Sequence, residues 1–257
     1  MTPVRVAAPP DPKAERVRIL VRRMVELAEG DEERVFNADI YKRFRTYLTN
    51  IFGGKCAYCE ANLGVVMQSP VIEHYRPKGR ITDENDVIVC DAGGNELPGY
   101  YWLAYEWGNL LPSCWVCNST HKKNRFPVAG AHATDPTGVA AEMPLLYNPL
   151  GAATEPEQHF RIDLETGMLH GLDDIGRMTI HVLGLNRAGL VDDRRRALKD
   201  TANLISAWLP ALALGRSDLA DHAAQIDEIR RGTATYAFAR RALYESAMGP
   251  IRRVAAA

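Results

Sequence analysis

Two Cys-x-x-Cys pairs, Cys56/Cys59 and Cys114/Cys117, enclose a Glu73-His74 dipeptide, and Asn118 follows the last cysteine directly. Four thiolates at this spacing satisfy the tetrahedral preference of structural Zn2+ and leave the ion no open position for catalysis. Zinc here is a staple. Reactivity must then come from the groups that the staple draws together: the carboxylate of Glu73, the imidazole of His74 and the amide of Asn118. These suit phosphodiester hydrolysis, which needs a base for the nucleophile, charge neutralisation on the phosphoryl oxygens and stabilisation of the departing alkoxide.

An unperturbed imidazole, with a pKa of about 6.5, is substantially neutral just above pH 7 and accepts a proton from water, which makes His74 the general base. Glu73 and Asn118 are hard oxygen ligands for one Mg2+ or Mn2+. Neighbouring strand residues point to opposite faces, so a bend is required if both Glu73 and His74 are to serve one site. His121, one α-helical turn beyond Asn118, is expected on the same face as a further metal ligand, with Lys122 an alternative phosphate contact there. Arg76, Lys78 and Arg80 follow His74, and Lys122, Lys123 and Arg125 follow Asn118. These two basic arms supply a local grip on nucleic acid that the net charge of −1 denies the molecule as a whole.

A chain of 257 residues, 46% apolar and 25% charged, is that of a folded globular protein of one large domain or two modest ones. The N-terminus lacks the apolar core of a signal peptide and no stretch is apolar enough to span a bilayer, so a cytoplasmic protein without membrane contact is expected. In a reducing compartment, paired cysteines favour metal thiolates over disulfides. Cys90 ends the run Val87-Ile88-Val89 and reads as a small buried strand residue.

The elements that position the site are helical at both ends. Val17, Leu20, Val21, Met24 and Leu27 recur at helical spacing, as do Phe36, Ile40, Phe44, Leu48 and Ile51, and Gly53-Gly54 breaks the second run. A hairpin turn is expected near Asn62 to Gly64, an extended segment at Val71–Glu73, an inserted loop or ribbon from Thr82 to Pro98, and a short helix after Cys114. A connecting segment runs from Pro127 to about Pro144. A β-hairpin follows, with strands near His159–Leu164 and Met168–His170, then helices near 174–183, 187–209, 217–231 and 233–248, with breaks at Gly184-Leu185-Asn186, Pro210 and Gly232. Trp102, Trp107 and Trp115 read first as core packing around a small zinc module, with stacking on bases as the other use, and His132, His159, His170, His181 and His222 as structural or exposed. The run Asp192-Asp193-Arg194-Arg195-Arg196 reads first as a solvated helix face, with nucleic-acid or partner contact second.

The segments KCAYCE, IEHYRPKGR and WGNLLPSCWVCNSTHKKNRFP resemble the HNH nuclease superfamily, whose active site is a ββα-metal motif. Glu73, His74, Asn109 and Asn118 match its motif positions, with Glu where Asp is commoner. The resemblance implies an α+β fold: a treble-clef-like, zinc-stapled nuclease module at 53–129, between an N-terminal helical region at 1–52 and a hairpin-plus-helical region at 130–257. Asn109 would act indirectly, bonding backbone to hold the loop and the His74 ring. With PLLYNP and LGLNR further on, the chain is similar to the HNH subunits of Septu-type anti-phage and retron-associated systems. That similarity implies cleavage of DNA or, less favoured, RNA to 5′-phosphate and 3′-hydroxyl ends, with a separate ABC-type or SMC-like ATPase as partner, since the chain has no G-x-x-x-x-G-K-[ST] loop of its own. The rival reading is a zinc-stapled adaptor that binds nucleic acid or recruits an ATPase without cutting.

Overall fold

The computed structural model describes residues 19, 22, 23, 26, 36–66, 70–150, 155–214 and 220–255. The first N-terminal helix, expected from Val17 to Leu27, rests on residues that lie outside the described ones. The second is present but interrupted: α1 (Ala38–Tyr41), a 3-10 turn (Lys42–Phe44) and α2 (Arg45–Ile51). Asn37 caps α1, its side chain accepting from the Asp39 amide at 3.0 Å. Ile40 and Leu48 are buried, as the spacing requires. Gly53 and Gly54 end α2 with φ of 63° and 71°, values that glycine adopts without strain, and the Gly54 amide closes on the Thr49 carbonyl at 2.8 Å.

The first cysteine pair follows at once. The Cys56 amide donates to the Ala61 carbonyl and Leu63 to Gly54, both at 2.9 Å, so the chain folds back at Tyr58–Glu60. The turn expected at Asn62–Gly64 is therefore displaced. Both sulfurs of a Cys-x-x-Cys pair must aim one way, which tightens the loop onto the cysteines, and Leu63–Val66 is instead a turn of helix, α3.

β1 (Val71–His74) pairs antiparallel with β2 (Leu110–Ser113), placing Glu73 opposite Leu111 and His74 opposite Leu110. The insertion between them is a ribbon. Thr82 pairs with Ile88 and Cys90 with Glu96, around turns in which Asp83 and Asp91 each accept two backbone amides. Cys90 is exposed there and not buried: Val89 packs against the core, and the next residue of an extended ribbon faces the other way. After β2, Val116–Lys122 is a π-helical segment.

Residues 127–145 are more than a connection. Their ends pair, with Ala129 donating to Met143 at 2.8 Å and Leu145 to Pro127 at 3.0 Å, so the segment is a closed loop on the body. Then come α4 (Pro156–His159) and the hairpin β3 (Phe160–Ile162) and β4 (Leu169–Gly171), with Arg161 opposite His170. Helices α5 (Asp174–Val182), α6 (Ala188–Ala213), α7 (Ala220–Arg231) and α8 (Ala237–Ala255) complete a mainly helical C-terminal region. The break expected at Pro210 is absent. The carbonyl that Pro210 leaves without a helical partner belongs to Ser206, which is exposed and open to water, so α6 continues for three residues.

One apolar cluster unites these parts, taking in Phe52, the four paired cysteines, Tyr100, Trp102, Leu111, Phe126, Leu183, Leu185 and Phe238. Ile205, Ile226, Ile229, Tyr244 and Met248 form a second cluster among α6, α7 and α8. Trp102 is buried, Trp107 packs against Phe44 and Tyr47, but Trp115 is 54% exposed and not a core residue. The acidic-basic run on α6 is solvated at Arg195 and Arg196, whereas Arg194 is buried and donates to the Leu185 and Gly167 carbonyls. No helix among the described residues is long and apolar enough to cross a membrane.

Candidate metal centre and cleft

Cys56, Cys59, Cys114 and Cys117 are all buried, with their sulfurs within 4.8 Å of one another and Cys59 to Cys114 at 3.9 Å. Zn–S bonds of about 2.3 Å in a tetrahedron put sulfurs about 3.8 Å apart, so this all-thiol set fits structural zinc. Donors surround it. The Cys117 amide points at Cys114 Sγ at 3.4 Å, Ser113 Oγ lies 3.7 Å from Cys56 Sγ, and the Arg187 guanidinium donates to Cys117 Sγ at 3.7 Å. A zinc with four thiolates carries net negative charge, which Arg187 offsets.

The C-terminal region grips the same knuckle. Buried Lys55 donates to the Ala234 carbonyl at 3.1 Å and also to that of Gly232, and the Glu60 carboxylate accepts from the Phe238 amide at 2.9 Å, capping the start of α8. LGLNR acquires concrete roles as well. Leu183 and Leu185 are fully buried, Asn186 bonds both the amide and the carbonyl of Leu169, and Arg187 reaches the thiols.

Glu73, His74 and Asn118 line one cleft of about 940 Å³, together with Phe36, Lys78, Arg80 and Lys123. The β1–β2 pair and the π-helical segment bring them there, as the residue spacing anticipates. Glu73 is buried and makes an ion contact with Lys122, Nζ to Oε1 at 2.6 Å. Burial pushes the Glu73 carboxyl up from its ordinary value and Lys122 opposes the rise. His74 ends β1, which keeps regular register through Glu73 and His74 and bends only at Tyr75 and Arg76, and its Nε2 stands 2.9 Å from the Ala104 carbonyl. A carbonyl only accepts, so Nε2 carries the proton and Nδ1 the lone pair. Burial lowers the pKa of His74 to about 3, helped by Lys78 and Lys122 and opposed by the Ala104 carbonyl, so the ring is neutral but a weaker base than the unperturbed imidazole that the sequence suggests.

Asn109 is buried and bonds only backbone among its described contacts: it accepts from the Arg76 amide at 2.7 Å and donates to the carbonyls of Arg76 and Leu103 at 3.0 and 3.1 Å. It clasps the turn leaving His74 to the segment that supplies Ala104.

Three of the basic residues line the cleft and three do not. Lys78, with its pKa lowered by burial against the pull of Glu73, Arg80 and Lys123 line it. Arg76 is turned inward, paired with Glu142 at 2.7 Å and set over the rings of Tyr75, Tyr100 and Phe126. Lys122 is fully buried on Glu73, and Arg125 bonds the His121 carbonyl and pairs with Asp86 at 3.6 Å. Ribbon carboxylates meet the arms, Asp86 at Lys123 and Glu96 at Arg80. His121 does not join Glu73 and Asn118. A π-helix turns more slowly than an α-helix, so three residues no longer return to one face. The His121 ring instead fills the space over Gly184, where a Cβ would sit 2.3 Å from it. Burial and the charges of Arg187 and Arg125 lower its pKa.

Sequence reasoning missed Glu142, whose side chain is fully buried and which accepts from Tyr100, the Ala133 amide and Arg76. It lies in an Ala/Gly/Thr/Pro stretch with no local signal. Arg187 was visible only as part of LGLNR.

No family model and no solved structure matches the chain. Septu protein PtuB of Bacillus mycoides is 36% identical over 184 residues, covering 67% of this chain and 59% of PtuB. Septu protein PtuA of the same organism is 32% identical over 182 residues, covering 69% of this chain but 23% of PtuA. The chain thus spans less than two thirds of either relative, and PtuA contains a stretch of the same kind within a much longer protein. With the sequence agreement to both, the chain is homologous to Septu protein PtuB and is a PtuB-like protein.

Proposed function

We propose that this protein is a metal-dependent endonuclease of the HNH, ββα-metal type and the nuclease component of a Septu anti-phage system. One observation carries the reading: a carboxylate, a neutral imidazole and an amide meet in a single cleft, on a β1–β2 pair and a following helical segment that are tied to a four-thiol cluster. The homology to PtuB supports the Septu assignment.

In this reading Nδ1 of His74 takes the proton of the attacking water, with Nε2–H anchored on Ala104 so that the lone pair keeps its direction. Glu73 and Asn118 would hold one Mg2+ or Mn2+, which supplies charge neutralisation at the phosphoryl group and the departing oxygen. Lys78, Arg80 and Lys123 hold the phosphate backbone along the cleft. Asn109 positions His74 without touching substrate. An ATPase partner would govern when the cleft is used.

The reading is tested by incubating the purified protein, alone and with its co-purifying ATPase, with duplex DNA and with tRNA, adding Mg2+, Mn2+ or EDTA. Cation-dependent cleavage leaving 5′-phosphate and 3′-hydroxyl ends is expected. A fully folded, zinc-loaded protein that cuts neither substrate under any condition supports the adaptor reading instead.

A further inference from the structure

Lys122 is buried with no exposed surface, and its ammonium stands 2.6 Å from Glu73 Oε1 and 2.9 Å from the main-chain oxygen of His74. A lysine charge survives in an interior only where oxygen atoms meet it. The two that meet this one come from consecutive residues, a carboxylate and a carbonyl, which are the hard donors a divalent cation takes.

The charge around Glu73 points the same way. The other charged residues that line the cleft are Lys78, Arg80, Lys123 and Glu96, and Glu96 faces Arg80 at 3.9 Å. With Lys122 seated, the cleft holds no surplus negative charge to draw in a dication. An incoming Mg2+ or Mn2+ at Glu73 meets an ammonium a few ångströms away, inside a buried region where repulsion is poorly screened.

We propose that Lys122 is a tethered cation that competes with the divalent metal for Glu73, so that metal binding expels the ammonium from its buried seat. The proposal rests on the nuclease reading, in which Glu73 is a metal ligand. The resting cleft is then self-neutralised, and the metal enters at the expense of an ion pair.

Mn2+ binding, read by electron paramagnetic resonance of the free ion, tests this without any activity assay. Lys122→Gln and Lys122→Met, each checked for zinc content and circular dichroism, should bind Mn2+ about tenfold more tightly than wild type, since one like charge near the site is gone. Glu73→Gln should lose the site. On the wild-type protein, acetylation of Lys122 followed by mass spectrometry should rise severalfold when Mn2+ saturates, a readout that needs no variant to fold. If Mn2+ binds through Glu73 while Lys122 stays protected and both variants bind no more tightly, the competition is wrong and the metal reading stands. If neither wild type nor the Lys122 variants show binding that Glu73→Gln removes, both fall.

Discussion

The guanidinium of Arg187 donates to the sulfur of Cys117 at 3.7 Å, so a residue at the entry to α6 completes the surroundings of a thiol cluster formed far earlier in the chain. The same guanidinium bonds the Leu183 and Gly184 carbonyls at the end of α5. The link between α5 and α6 therefore lies against the four-thiol cluster. Arg187→Met should weaken zinc retention about tenfold, the lower end of what partners of metal ligands contribute, measured as zinc release to a chromogenic chelator. Release at the wild-type rate would show that the contact does not tune the site.

Asn109 should act through backbone. Asn109→Ala leaves a buried amide and two carbonyls without their partner, a destabilisation of about 2–4 kcal/mol in urea unfolding. Asn109→Asp keeps the acceptor but loses both donors and buries a charge, and should be worse. Equal stability of all three proteins would contradict the clasp.

Glu142 is predicted to be a hidden support of the cleft wall. Glu142→Ala strands the largely buried Arg76 without its carboxylate and should cost about 3 kcal/mol, whereas Glu142→Gln keeps hydrogen bonding and should cost less. Because Arg76 is spent inside, Arg76→Lys should lower stability more than nucleic-acid affinity, and Lys123→Ala the reverse; filter binding at two salt concentrations separates them.

Acid should destabilise the fold through His74. Its folded pKa of about 3 lies below the ordinary histidine value, so the stability that it contributes is present above about pH 6.5 and is lost as pH falls, because the unfolded chain takes up a proton that the folded one refuses. Between pH 7 and pH 5 the loss amounts to about 2 kcal/mol. In His74→Gln that part of the slope should disappear. An unchanged slope would mean that His74 is not buried as described.

How much of this was legible in the chain follows from how local each signal is. Metal-ligand spacing is local, so the four cysteines group directly from the sequence, while the Glu73-His74 dipeptide and Asn118 meet in a separate cleft. Helical period located α5 and α7 to within a few residues; the Phe36–Ile51 helix is broken by a 3-10 turn, solvent exposure lets α6 run through Pro210, and α8, expected at 233–248, runs from Ala237 to Ala255. Charge sequence misled at Arg76, Lys122 and Arg194, because whether a cation faces water depends on acids and carbonyls supplied from elsewhere: Glu142 for Arg76, Glu73 for Lys122, Gly167 and Leu185 for Arg194. His121 misled because an α-helical period was applied to a π-helical segment. Cys90 did so because only one face of the ribbon, through Val89, packs against the core.

The central claim is that the cleft holding Glu73, His74 and Asn118 hydrolyses phosphodiesters, with His74 as the base. The most direct measurement is single-turnover cleavage of end-labelled DNA and tRNA by wild-type protein and by His74→Ala, in the presence of Mn2+ and of any ATPase that co-purifies, after both proteins are shown to carry equal zinc and equal helical content. The account predicts that wild type cuts at least one substrate and that His74→Ala cuts it at least about 100-fold more slowly, the size of a lost general base. Equal cleavage by the two proteins would contradict it.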